Sequence, residues 1–228
     1  MPLRAGGCGL ASLTGIVFVY LNGKHDMLIA RRSVLIGLGL AGLVPAAAAA
    51  ALEIVEAGTV ETVTGESIGK LRGEKRALAV GAPVFIDDLL LTSAGARLGV
   101  RLGEATRISL GESTHLKIDK FLVDRGGELV LESGAIRFDR PSDKPSGQLS
   151  VTTPFGLIAA RGTKFFAGPS GGVFGVFVEH GLVTVRTKRG AVTLTDGFGT
   201  NMTSAKAAPS PAAPWPDERI ALAIASVS

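Results

Sequence analysis

Cysteine is nearly missing from this chain: Cys8 is the only one in 228 residues. It lies before the first long apolar run, so everything after that run is without a thiol, which excludes a disulfide framework, a redox dithiol and a cysteine-ligated metal there. No apolar stretch precedes Cys8, as a lipid-modified cysteine would require. Histidine is scarce as well: after His25 only His115 and His180 remain. They stand far apart with no clustered ligands, a poor basis for a metal site. One tryptophan and one tyrosine supply few platforms on which sugars or bases could stack. The chain also lacks a real charge excess. Its formal +4 comes largely from Arg4, Lys24, Arg31 and Arg32, which precede Leu52 with only Asp26 to offset them. The remainder carries 20 basic against 19 acidic residues, which removes the electrostatic case for a nucleic-acid partner.

What is present begins with an export pattern. Arg31-Arg32-Ser33-Val34-Leu35-Ile36 leads into a glycine-rich apolar stretch ending at Val44, followed by Pro45 and an alanine run. These are the three regions of a signal peptide. The arginine pair resembles a twin-arginine signal, with Val34 and Ile36 where phenylalanine and lysine are common, so the general secretion route stays open. The run from Val34 to Ala51 is barely long enough to span a bilayer and is rich in weakly apolar alanine, so cleavage near Ala51 is the expectation. Met27 stands four residues before the arginine pair and is the expected natural start. Residues 1–51 are therefore read as export signal, 52–200 as a β domain and 201–228 as an Ala/Pro-rich tail. The expected location is periplasmic or secreted, in a bacterium.

From Gly58 to Thr200 apolar and polar residues alternate, as in Leu98-Gly99-Val100-Arg101-Leu102 and Val183-Thr184-Val185-Arg186-Thr187. Period two means half-buried strands. Glycines recur between these runs and supply turns that need positive φ. The fold class is all-β: a β-roll, a short β-solenoid or a β-sandwich, mostly antiparallel, with short hairpins. Asp124-Arg125-Gly126-Gly127 and Lys188-Arg189-Gly190 are the best hairpin turns, and Pro141 to Gly147 reads as a surface loop. The tail, with Pro209, Pro211, Pro214 and Pro216 around Trp215, is expected to be extended and unable to add to a sheet. Asp217 could cap a short final helix with Ile220, Ile224 and Val227 on one face. Such a terminus is either frayed or docked through Trp215.

Several patterns imitate catalytic motifs. Gly168-Pro169-Ser170-Gly171-Gly172 has the letters of a nucleophile elbow, but that chemistry needs a helix after the serine, and Val173 to Val178 is β-branched and aromatic. It reads as a hairpin turn, and only His180 follows as a base. Gly37 to Gly42 matches a dinucleotide fingerprint without the β-α-β unit that gives it meaning. Asp87, Asp88, Asp119, Asp124 and Glu128 raise calcium or paired-carboxylate chemistry, yet Asp87 and Asp88 are adjacent and would face opposite ways on a strand, so turn formation is the expected role. Asn201-Met202-Thr203 is a glycosylation sequon by letters only.

The order of the signals carries more information than any one of them. Gly81-Ala82-Pro83-Val84-Phe85-Ile86-Asp87-Asp88-Leu89 is followed by Leu129-Val130-Leu131-Glu132-Ser133-Gly134. Then come Val151-Thr152-Thr153-Pro154-Phe155-Gly156, Arg161-Gly162-Thr163-Lys164-Phe165 and Val178-Glu179-His180-Gly181-Leu182. This ordered set resembles the FecR family of periplasmic signalling proteins over about Gly58 to Thr200. The resemblance implies a non-catalytic β-rich domain that, in the best-known members, relays an outer-membrane signal to a cytoplasmic sigma factor through a transmembrane helix. Here only a signal-like segment precedes the domain, which implies a stand-alone module working beside a separate membrane protein. Arg161, Gly162, Thr163, Glu179, Gly181 and Asp88 are the family-signature positions, with structural roles. Gly162 would allow a tight bend, and a buried Arg161 would need Asp88 or Glu179 as its carboxylate.

The resulting expectation is an exported non-enzyme without cofactor that binds an envelope protein and meets the membrane only indirectly. Glycan binding or a purely structural role is the alternative. A hydrolase would require Ser170 and His180, or two carboxylates, within hydrogen-bond reach.

Overall fold

A computed structural model of the chain describes residues 54–122, 126–141 and 147–228. The export segment with Cys8, Met27 and the arginine pair, Asp124-Arg125 of the first hairpin turn and most of the loop after Pro141 lie outside the described residues. The strands are β1 (Glu56–Thr64), β2 (Ser67–Leu71), β3 (Glu74–Ala77), β4 (Pro83–Phe85), β5 (Leu89–Thr92), β6 (Arg97–Leu102), β7 (Thr106–Leu110) and β8 (His115–Leu122). They continue as β9 (Gly126–Ser133), β10 (Ile136–Asp139), β11 (Leu149–Thr153), β12 (Gly156–Ser170), β13 (Val173–Thr187), β14 (Gly190–Leu194), β15 (Phe198–Met202) and β16 (Ala213–Pro214). One helix, α1 (Asp217–Ala225), closes the chain.

The sheet has two arms that meet in the long β12–β13 hairpin. One arm runs β3-β2-β5-β8-β9-β11 and the other β10-β7-β6-β1-β4. β11 pairs with the first part of β12, Gly156 to Ala160, and β10 with a later part, Lys164 to Ala167. On its far side β13 does the same, giving Val183 to Thr187 to β14 and Phe174 to Phe177 to β15. The chain shuttles between the arms, and Gly65, Gly95, Ser113 and Gly134, which sit at four of the crossings, all have positive φ. The all-β class with antiparallel hairpins is what the strands form. One parallel pair, β9 with β11, makes the sheet mixed, and it curls into a half-barrel.

The alternation read in the sequence is the reason the arms pack. In β6, Leu98, Val100 and Leu102 point inward while Arg97, Gly99 and Arg101 do not. They join Leu90, Leu116, Ile118, Leu129 and Leu131 of the opposite arm in one apolar core. Each such side chain contributes about 1.5–3 kcal/mol on burial, so the inward rows supply the driving force and the polar rows leave the outer faces wet.

A second, smaller core lies on the outside of the hairpin. Phe165 faces the main core, whereas Phe166 and Phe177 face out and pack with Trp215, Ala223 and Val227. The tail therefore docks, and two expectations for it are corrected. Ala213–Pro214 does add to the sheet, pairing with Phe198 and Gly199 of β15; the ladder tolerates Pro214 because the strand is two residues long and lies at an edge. Asp217 does not cap α1: Pro216 occupies that position with no side-chain cap, and Asp217 is the first helical residue, where its charge favours the helix dipole. Ile220, Ile224 and Val227 do share the buried face. None of the described helices is long and apolar enough to cross a membrane.

Candidate functional site

Five of the six signature residues gather where β12 and β13 cross from one arm to the other. In β12 the pairing with β13 shifts register between Arg161 and Lys164, with Gly162 at φ 57°. The shift has a clear purpose. Before it, Ile158 and Ala160 point inward; after it, Phe165 and Ala167 do, so the inward parity has changed from even to odd residues. A bulge inserts the extra residue that a strand needs to keep its apolar row on one face through such a change. β13 makes the matching switch, from Val176 and Val178 to Val183 and Val185.

The two bulges lock together. A Cβ on Gly181, whose φ is 95°, would stand 2.7 Å from the Gly162 carbonyl oxygen, so only glycine permits this approach. The Gly181 N–H, freed from the ladder, donates to Asp196 Oδ1 at 2.6 Å, and His180 Nδ1 lies 3.1 Å from Asp196 Oδ2. These bonds, the Gly181 amide first and His180 after it, hold the Asp196 carboxyl below its ordinary range. Asp196 and Gly197 link β14 to β15, so a third strand turns at the same corner. Glu179 accepts a bidentate pair from Arg137 of β10, at 2.7 and 2.8 Å, which raises the Arg137 guanidinium. Thr163 is fully buried, and its carbonyl accepts from the Arg140 amide.

Arg161 is exposed, so it needs no buried carboxylate, and both residues named for that role are taken. Glu179 belongs to Arg137. Asp88, wholly buried, accepts from both terminal nitrogens of Arg76 and from the Phe85 amide at 3.0 Å. The paired carboxylate raises Arg76, which also lies over the Phe85 ring. Asp88 sits four strands from β12 in the sheet order and closes another crossing, from β4 to β5. Its neighbour Asp87 faces solvent at φ 67°, the turn position expected of it.

The catalytic look-alikes are dispersed. Gly171 and Gly172, both at positive φ, form the tip of the β12–β13 hairpin, and Ser170 Oγ accepts from Arg219 Nε at 3.0 Å. His180 pairs with Lys164, six residues along β12 from Ser170, a separation of roughly 20 Å along a strand. Lys117 stands between Asp87 and Asp119, at 3.1 and 2.7 Å, which depresses Asp119, and Lys120 faces Glu128. Among the described residues no group of His, Cys, Asp and Glu could hold a metal. Asn201 of the sequon accepts from Arg219.

Three features escaped the sequence reading: Arg137, the Asp196 clamp, and a surface along β12 and β13. Asp196-Gly197 carried a turn signal, but nothing linear tied it to Gly181. On that surface Leu182 and Leu157 are exposed, and a shallow groove of about 390 Å³ is lined by Gln148, Ala159, Arg161, Leu182 and Thr184.

Comparison with known proteins follows the same lines. Two crystal structures of a candidate anti-sigma factor from Parabacteroides distasonis ATCC 8503 are similar in fold. Both have a TM-score of 0.50, at 15% and 14% identity, over 58% of this chain. The match spans 62% of the length of that protein. No curated protein matches the chain. Residues 88–184 match the model of the FecR protein family, and this stretch, which holds the bulges of β12 and β13 and the buried Asp88, is a FecR domain.

Proposed function

We propose that the chain is an exported, non-catalytic signalling module that acts in the bacterial envelope by binding another protein. The observation that carries this reading is the division of labour in the FecR domain. Gly162, Thr163, Glu179, Gly181 and Asp88 are consumed in shaping two crossings, while the surface of β12, β13 and β14 beside them is left open with Leu157, Leu182 and Arg161 exposed. Residues 1–51 serve as the export signal and 52–200 as the FecR-like domain, with the 201–228 tail strapped over its outer face. The likeness in fold to a candidate anti-sigma factor supports a place in transmembrane signalling.

A glycan reading loses ground on a specific point: Trp215, the only tryptophan, is buried under Arg219 and against Phe177 and offers no open ring face. Photo-crosslinking of the tagged full chain in living cells from positions 157, 161 and 182 tests the proposal. A defined envelope protein crosslinked from these positions is the expected result. Crosslinks to the chain itself alone, or specific retention on envelope polysaccharide, would overturn it.

A further inference from the structure

We infer that the outer edge of β14 accepts an acidic extended segment of the partner as an added strand, an inference that rests on the protein-binding reading above. β14 pairs with β13 alone. The two-residue turn Lys188-Arg189 makes Thr187 and Gly190 the first bonded pair, so Val185 with Val192 and Val183 with Leu194 are the next ones. The alternate residues Ala191 and Thr193 therefore turn their N–H and C=O groups away from the sheet, and both are exposed. The other edges are blunted. β3 is charged, with Arg76 tied to Asp88; β4 is three residues long and starts with Pro83; β15 is covered by β16.

Charge selects the occupant. Arg186, the cross-strand neighbour of Ala191, is exposed, as are Lys188 and Arg189 at the turn. None of the three has a carboxylate partner among the described residues, whereas Arg76, Arg101, Arg107, Lys117, Lys120, Arg137 and Lys164 all do. Because Ala191 is small, the Arg186 guanidinium is reachable from beyond the edge. On the inner face Val192 packs against the core, and Ala208 and Pro209 lie next to Gly190. A strand laid here would meet basic groups with its outward residues and apolar surface with its inward ones, so the fitting segment alternates acidic and apolar residues. A second copy fits worse. It would bring three unpaired cations to the seam for one acid, Asp196, which is already engaged by Gly181 and His180.

The test is fluorescence anisotropy of a labelled, end-capped octapeptide alternating glutamate and valine, titrated with the purified full chain. Saturable binding is expected. Arg186→Glu with Lys188→Glu should weaken it about tenfold or more, and Thr193→Pro about fivefold or more, since that N–H serves the edge and no internal bond. Should Thr193→Pro fail to fold, methylating alternate amides of the peptide removes the same bonds from the other side and should weaken binding on the wild-type chain equally. Equal binding of a glutamine-valine peptide, indifference to both the proline and the methylated amides, or a dimer abolished by Thr193→Pro would each overturn the inference. The crosslinking experiment separates the two levels of the argument. A partner whose crosslinks map to an acidic extended segment, and which Thr193→Pro loses, supports the edge. A partner kept by that variant overturns the edge and leaves the protein-binding reading intact; no partner for either chain sinks both.

Discussion

Trp215 is held in a slot that two glycines create, and this makes a sharp test of how the tail is attached. The indole is 6% exposed, stacks on Phe177 at 5.3 Å between ring centroids, meets Phe166 edge-on at 6.4 Å and lies 3.6 Å beneath the Arg219 guanidinium. Burying roughly 200 Å² of largely apolar surface is worth about 5 kcal/mol, an upper bound because the unfolded chain is not fully extended. Trp215→Ala should therefore cost about 3–5 kcal/mol, with the docking energy of the tail as its ceiling. Gly175→Ala reaches the same site from the other side: its Cβ would stand 2.6 and 2.7 Å from two carbons of the indole. With no backbone atom among its nearest contacts, the alanine is harmless once the indole is gone. Gly175→Ala should cost about 2–4 kcal/mol alone and close to nothing in the Trp215→Ala background, a coupling of at least about 2 kcal/mol. Urea denaturation followed by circular dichroism gives the four stabilities. Fluorescence gives an independent signal, because Trp215 is the only tryptophan in the chain: Gly175→Ala should shift its emission to the red. An equal cost of Gly175→Ala with and without Trp215, or unchanged emission, would refute the slot.

Three further predictions concern the crossings. Gly181→Ala should destabilise by more than about 2 kcal/mol, since its Cβ meets backbone as well as carrying positive φ; Gly172→Ala, at positive φ but with open space around it, should cost only about 1 kcal/mol. Equal urea midpoints for the two would show that the corner is not close-packed. Asp88→Asn keeps the shape but leaves Arg76 facing a neutral group. Because that guanidinium is 30% exposed, the expected loss is about 2–3 kcal/mol, below the usual range for a fully buried pair, and a melting temperature unchanged by the substitution would contradict the assignment. The Asp196 carboxyl is lowered by folding, so its contribution is complete above the unfolded value of about 3.9 and is lost as pH falls through the lower folded value. Asp196→Asn should flatten the pH dependence of the urea midpoint in that acid window and nowhere above it; a change confined to neutral pH would refute the assignment.

Much of the fold was legible because it rests on local rules. The two-residue period of β6 and β13 comes from alternating burial, and the turn at Gly171-Gly172 comes from residues that tolerate the positive φ it needs. The pairings across the molecule were not legible. Arg137 and Glu179 are 42 residues apart and Arg76 and Asp88 are 12 apart with β4 between them, so nothing in their local sequence announces a partner. Whether Arg161 is buried was open for the same reason, since it depends on the parity of the strand. The tail misled because proline counts against a ladder in general, yet a two-residue edge strand asks for too few bonds to be hurt by it. Trp215 is buried only because Gly175 and Gly199, far from it in sequence, leave room for an indole.

The parity switch also explains why a signature can be strict without touching a ligand. Across the corner, β12 must carry Ile158 and Ala160 inward on one arm and Phe165 and Ala167 inward on the other, and an unbroken strand cannot do both. Gly162 supplies the odd residue, Gly181 supplies the same correction in β13, and Asp196 satisfies the amide that the second bulge sets free. Flattening the bulge without removing a residue would send Phe165 outward and Phe166, now seated against Trp215, into the main core. The sequence constraint at this corner is thus one of phase. Binding specificity is left to residues that the phase does not fix, and along β14 those are Ala191, Thr193 and the cations at its turn.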